Sequence, residues 1–151
     1  MFIQTPRGRV VQTKNGKATL EWNPSFQSKW EGQYTKAQVF IDSEVLRLSA
    51  PYIPFETSML QKSGILGTVV GSGTVEWIAP YAKYLYYGNV MVSPTTGSPW
   101  AKKGERKVLT DKPLNYNGAP KRGRLWFERM KADHKKDVVE GARKLAGGSS
   151  E

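Results

Sequence analysis

The residues with the most chemical potential in this chain are few and scattered. His134 is the only histidine, and there is no cysteine. Asp133 and Asp137 flank His134 at helical spacing, but one histidine with two acids on a helix reads as a solvated face rather than a metal centre. The absence of cysteine removes disulfides, thiolate nucleophiles and thiolate-ligated zinc. A serine nucleophile would have His134 as its only base, and no elbow motif supplies the serine. Glu56 and Glu76 are the best placed pair of carboxylates for acid–base work, yet nothing in the sequence brings them together. Gly71-Ser72-Gly73 suggests a phosphate loop, but it lacks the third glycine and following helix of a dinucleotide site and the Lys-Ser/Thr of a P-loop. It reads as a turn between two strands. The expectation is therefore a protein without catalytic, cofactor-binding or metal residues.

What remains is aromatic and basic. Tyr81, Tyr84, Tyr86 and Tyr87 fall within one short segment, with Lys83 as the only cation among them. Such rings have an apolar body and a polar tip, which suits contact surfaces better than bond chemistry. The interleaving of bases and rings is too poor for a nucleic-acid stacking platform. Trp100, Trp126 and Met130 complete the candidate contact set. The candidate charged contacts are Lys102, Lys103, Arg106, Lys107, Lys121, Arg122 and Arg124. Between residues 101 and 124 the excess of positive charge is six, more than half of the net +10 of the chain. Lys121-Arg122-Gly123-Arg124 also precedes a helix, where backbone N–H groups favour anions.

The elements that must position these residues follow from periodicity. Asn15-Gly16 between Val10–Thr13 and Ala18–Trp22 signals a tight hairpin. Asn23-Pro24 opens a helix. Phe26, Trp30, Tyr34, Ala37, Ile41, Val45 and Leu48 then form one continuous stripe, which Pro51 and Pro54 end. Residues 64–70 and 74–78 are rich in β-branched and aromatic types and read as a second strand pair. A short helical turn over 81–87 and a short strand at 90–92 follow. A loop over 93–113 comes next, after which Leu114–Tyr116 pairs briefly with a sheet edge. The last helix spans 124–146 with Trp126, Met130, Val138, Ala142 and Leu145 inward. The expected fold is α+β: a small antiparallel sheet, made of the N-terminal hairpin and the central strand pair, packed on a long helix. The chain reads as one domain over 1–146, with an arm at 1–8 and a flexible tail at 147–151.

Composition sets the remaining bounds. The hydrophobic share is 38% and the mean hydropathy −0.54, so the core of these 151 residues is modest. A thin core is completed in many proteins by a neighbouring copy. No apolar run approaches a membrane span, and the first residues lack a signal-peptide stretch, which reads as a soluble intracellular protein.

The order of these segments resembles one known group. From about residue 18 to 146, the order of a strand or hairpin, the long helix, Pro51-Tyr-Ile-Pro-Phe-Glu-Thr-Ser-Met-Leu60, the strand pair, Ala79-Pro-Tyr-Ala-Lys-Tyr-Leu-Tyr-Tyr-Gly88, Gly97-Ser-Pro-Trp100 and a basic last helix recurs in it. The chain resembles minor capsid proteins of tailed bacteriophages that infect Gram-positive bacteria, themselves similar to head–tail joining, or tail-completion, proteins. Ala79–Gly88 carries the likeness best, 54–60 more loosely, and Arg124–Met130 matches the start of the family's last helix. The resemblance implies a non-enzymatic protein of the virion neck, assembled in the host cytoplasm. It implies a homo-oligomeric ring, six- or twelve-fold, between portal-side connector proteins and the tail terminator or tail tube. Genomic DNA would pass through its lumen without sequence recognition, and neither cofactor nor membrane is involved. A tail terminator, a basic nucleic-acid-binding module and a small hydrolase using Glu56 or Glu76 are the alternatives.

Overall fold

The computed structural model describes residue 5 and residues 7–147. Most of the arm expected at 1–8 and of the tail expected at 147–151 therefore lies outside the described residues. The fold is α+β, with two small antiparallel sheets and four helices.

Helix α1, Phe26–Ser49, is the spine. Its start lies just beyond Asn23, whose Oδ1 accepts hydrogen bonds from Ser25 N at 2.9 Å and Ser25 Oγ at 2.7 Å. It ends where the amides of Tyr52 and Ile53 turn back onto Ser49 O, a reversal that Pro51 and Pro54 favour. The C-terminal helix α4, Trp126–Leu145, packs antiparallel on α1. The two helices approach closely where Phe40 meets Gly141, because any side chain at Gly141 would overlap the phenyl ring. At the ends of this contact, Tyr52 meets Asp133, and Gly147 lies beside Gln33.

The stripe predicted on α1 does two different jobs. Its C-terminal half, with Val45 and Leu48, borders the core. Its N-terminal half runs beyond α4 and forms a ladder of rings, Trp22–Phe26–Trp30–Tyr34, with centroids 4.8, 6.0 and 6.1 Å apart. The core itself is small: Tyr52, Ile53, Leu60, Ala82, Trp126 and Met130. Trp126 is its centre, with the Tyr86 ring 4.7 Å and the Trp77 ring 5.9 Å away, both edge-on.

The central strand pair is not formed. Residues 64–67 belong to helix α2, Met59–Gly67, and 68–78 form an irregular return limb. The physical reason is the turn at Gly71-Ser72-Gly73. Gly71 and Gly73 hold φ of 96° and 81°, and their amides point at the Asp42 carboxylate on α1, with N···Oδ2 distances of 2.8 and 3.0 Å. The reversal is thus tied to a helix instead of closing a ladder. Thr68 Oγ1 receives Glu76 N–H at 3.1 Å and spans the two limbs. Gly64 admits the Trp77 indole, which sits where a Cβ would otherwise project.

The first sheet pairs β1, Arg9–Thr13, with β2, Gly16–Leu20. Its turn falls on Lys14-Asn15, one residue earlier than expected, and neither residue has positive φ. The second sheet pairs β3, Asn89–Val92, with β4, Val108–Pro113, around a bulge between Asn89 and Met91. β4 lies inside the stretch expected as loop, and Leu114 instead donates its N–H to Gly88 O at 2.8 Å. Helix α3, Ala82–Tyr87, ends on Gly88 in the left-handed region.

Asp42 is 2% exposed and also accepts from Gln38 Nε2 at 2.8 Å. Replacing Asp42 by Ala should remove the acceptor of the Gly71 and Gly73 amides and lower stability by about 1–3 kcal/mol in urea unfolding, with Asp42→Asn losing less.

Candidate interaction surfaces

The aromatic segment is divided between inside and outside. Ala82 and the Tyr86 ring turn inward, Tyr86 against Trp126. Tyr84 is half-buried, and its hydroxyl accepts the Met91 N–H at 3.4 Å. Tyr81 and Tyr87 are exposed, Tyr87 at 58%. Burial raises the Tyr86 and Tyr116 phenol pKa values, and Tyr116 donates to Leu85 O at 2.6 Å. Two expected contact residues require correction: Trp126 and Met130 are 1% and 2% exposed and belong to the protomer's own core. The α4 periodicity already places both inward, and the surface that covers them comes from 52–60, 77 and 82–86.

Trp100 lies at the other extreme, 85% exposed on the loop between β3 and β4. That loop is nonetheless well tied. Glu105 accepts hydrogen bonds from Ser93 Oγ at 2.6 Å, Thr95 Oγ1 at 2.8 Å and Lys102 N at 2.9 Å. Ser93 N donates to Ser98 O at 2.8 Å, and Trp100 N to Ser98 Oγ at 3.2 Å. These donors, Ser93 first, hold the Glu105 carboxyl down at about 2.

The cations also divide. Lys102, Lys103, Arg106, Lys107, Lys121 and Arg124 are exposed, and among the described residues none of them forms an ion pair. Lys121 stands 5.7 Å from the Tyr52 ring centroid. Arg122 is different: its guanidinium donates to Ile53 O at 2.6 Å and Ala50 O at 3.2 Å and lies over Phe55. It clamps the bend after α1 rather than presenting a free charge.

His134 takes part in a latch between Tyr52 and α4. Tyr52 Oη donates to Asp133 Oδ2 at 2.5 Å and lies 3.3 Å from His134 Nε2, and Asp133 raises the phenol pKa. Neither of the larger cavities is lined by this group. Among the described residues no cluster of three or more His, Cys, Asp or Glu is placed to hold a metal ion. Glu56 and Glu76 do not share a cavity.

A cavity of about 490 Å³ opens beside α3, walled by Phe55, Tyr81, Tyr84 and Tyr116, with Asn115, Asn117 and Glu56 as polar lining. A second, more apolar groove of about 440 Å³ runs between α1 and the return limb, past Ile41, Val45, Trp77 and Phe127.

Two surfaces escaped sequence reasoning. Ile65, Leu66, Val69 and Ile78 are exposed around α2, Leu66 at 79%. Read as strands, these residues had one face assigned to the core. Gly64 and Gly67, three apart, were the available sign of a helix that another segment approaches. The second is the whole β1–β2 ribbon, in which every residue is exposed.

No protein-family model, curated protein or solved structure matches the chain. No described helix is long and apolar enough to cross a membrane.

The lowered Glu105 pKa has a definite sign. Its ordinary value is 4.5 and its folded value about 2, so its tie to the loop is fully present above the ordinary value and is lost as pH falls through the folded one. NMR titration should find the Glu105 carboxyl well below the ordinary glutamate value of 4.5. The Lys102 amide should lose exchange protection only at the acid end. Arg122→Ala should lower unfolding stability by about 2 kcal/mol, whereas Lys102→Ala should leave it unchanged within about 0.5 kcal/mol.

Proposed function

We propose that this chain is a non-enzymatic structural protein of a tailed-phage neck, building a homo-oligomeric ring between the portal side and the tail. The supporting observation is that the protomer leaves two separate surfaces uncovered. One is the β1–β2 ribbon with Val10, Val11 and Leu20 exposed; the other is the α2 face with Ile65, Leu66 and Val69. A lone two-stranded ribbon is marginal in water, and contiguous exposed apolar groups mark contact sites. Two different sticky surfaces on one chain suit head-to-tail contacts, which close into rings. The motif order across 51–100 supplies the neck assignment, and the exposed cations suit acidic neighbouring proteins around a channel that must let DNA pass. A tail terminator is the nearest rival among virion roles.

Imaging of phage particles should place the chain between head and tail, with its copies countable as a ring. A chain that stays out of particles would end this reading. The double variant Ile65→Asp, Leu66→Asp should keep native circular dichroism and lose incorporation into particles.

The unpaired cations of 101–107 favour a second reading, a sequence-independent DNA binder. That reading requires duplex affinity falling steeply with salt, by orders of magnitude between 50 and 200 mM for several phosphate contacts. Weak or salt-insensitive binding removes it.

A further inference from the structure

We infer that neighbouring copies make one further contact beside the β1–β2 ribbon and the α2 face, a knob and a hole: Trp100 of one copy enters the cavity walled by Phe55, Tyr81, Tyr84 and Tyr116 of the next copy. This deepens the ring reading and rests on it.

Three observations support this assignment. First, the knob is a large apolar ring displayed in water on a loop whose backbone is held in place. Trp100 is 85% exposed while its loop is fastened through Glu105, Ser93 and Ser98. An indole on a pre-ordered backbone has only two side-chain torsions to fix on docking, which makes it an efficient anchor. Second, knob and hole stand at opposite ends of one ribbon. The β3–β4 register runs from Asn89↔Pro113, beside the cavity residues Asn115–Asn117, to Val92↔Val108, where the Trp100 loop begins. Four residues of strand separate these ends by about 13 Å. Two complementary features at different places on one chain give a heterologous contact, which propagates and closes as a ring. Third, the charges agree. Glu56 is the only charged residue lining the cavity, and Lys102 and Lys103 follow Trp100 directly. The carboxylate also provides an acceptor for a donor brought in by the knob, whether the indole N–H or a lysine ammonium. The volume of about 490 Å³ accommodates an indole with room for its flanking chain. The apolar groove past Trp77 lacks this pairing, since its only carboxylate, Asp42, is already engaged by Gly71 and Gly73.

The test uses three forms of the full chain in sedimentation velocity: wild type, Trp100→Ala, and the hole variant Glu56→Lys with Tyr81→Arg. Both substituted hole positions are exposed, so the fold should persist, with circular dichroism as the check. Wild type should associate with rising concentration, and each variant alone should associate about thirtyfold more weakly. Mixed one to one, the two variants should associate more strongly than either alone. One supplies an intact hole and the other an intact knob, so each unlike pair restores one knob–hole contact that neither variant can make with itself. Trp100 fluorescence should shift to the blue in wild type and in the mixture. Trp100→Ala assembling like wild type, or a mixture that stays monomeric, overturns the knob and hole. If that happens while the chain is still found as a ring in particles, the neck assignment stands without it. A wild type that stays monomeric at every concentration overturns the contact as well.

Discussion

The fold depends on a carboxylate placed in the middle of a helix. Asp42 would be a costly passenger in the interior of α1 were its oxygens not occupied by two glycine amides and a glutamine. In return the return limb has one place to lie. Holding Gly71 and Gly73 on α1 brings Trp77 onto Gly64 and against Trp126. Without that tie the core would lose one wall, because no strand ladder connects residues 68–78 to anything else.

How much of this was legible in the sequence differs from element to element. The long helix was readable because its stripe keeps one period from Phe26 to Leu48 and its end is marked by prolines. α4 was readable by the same means, and the α+β class followed from the two hairpin regions and the helices. The central segment was misread because β-branched residues state a preference for extended backbone, not a partner. What decided the outcome was Asp42, distant in sequence and unremarkable as a single acid. Trp126 and Met130 were readable as inward from the α4 periodicity, but were also counted as contact residues because the segments that cover them, 52–60, 77 and 82–86, come from elsewhere in the chain. Arg122, counted as free charge, spends its donors on two carbonyls of the preceding bend. The exposed residues Tyr81, Tyr87 and Trp100 were recognisable as contact candidates, but the cavity that Tyr81 borders arises only when 54–58, 81–85 and 115–117 meet.

The modest core is consistent with how little of the chain is enclosed. Among the described residues seven hydrophobic ones are buried, others are half-buried against them, and many of the remaining apolar groups stand on the outside, on the ribbon, on α2 and on the loop. In many monomeric domains such groups would form a second layer. Here the sheets are two-stranded and far from each other in the chain, so neither can supply that layer within the protomer.

The overhang of α1 has a mechanical consequence. Because α4 stops beside Gln33, the opening turns of α1 carry the ribbon like a cantilever, stiffened by the tilted rings from Trp22 to Tyr34 and by the Gln27–Glu31 hydrogen bond. Gly32 lies near the point of support and has open space around it. Deflecting that cantilever bends one helix and leaves the Trp126 centre untouched. A single sequence can therefore adjust its reach to neighbours at different angles without disturbing the part of the molecule that keeps it folded.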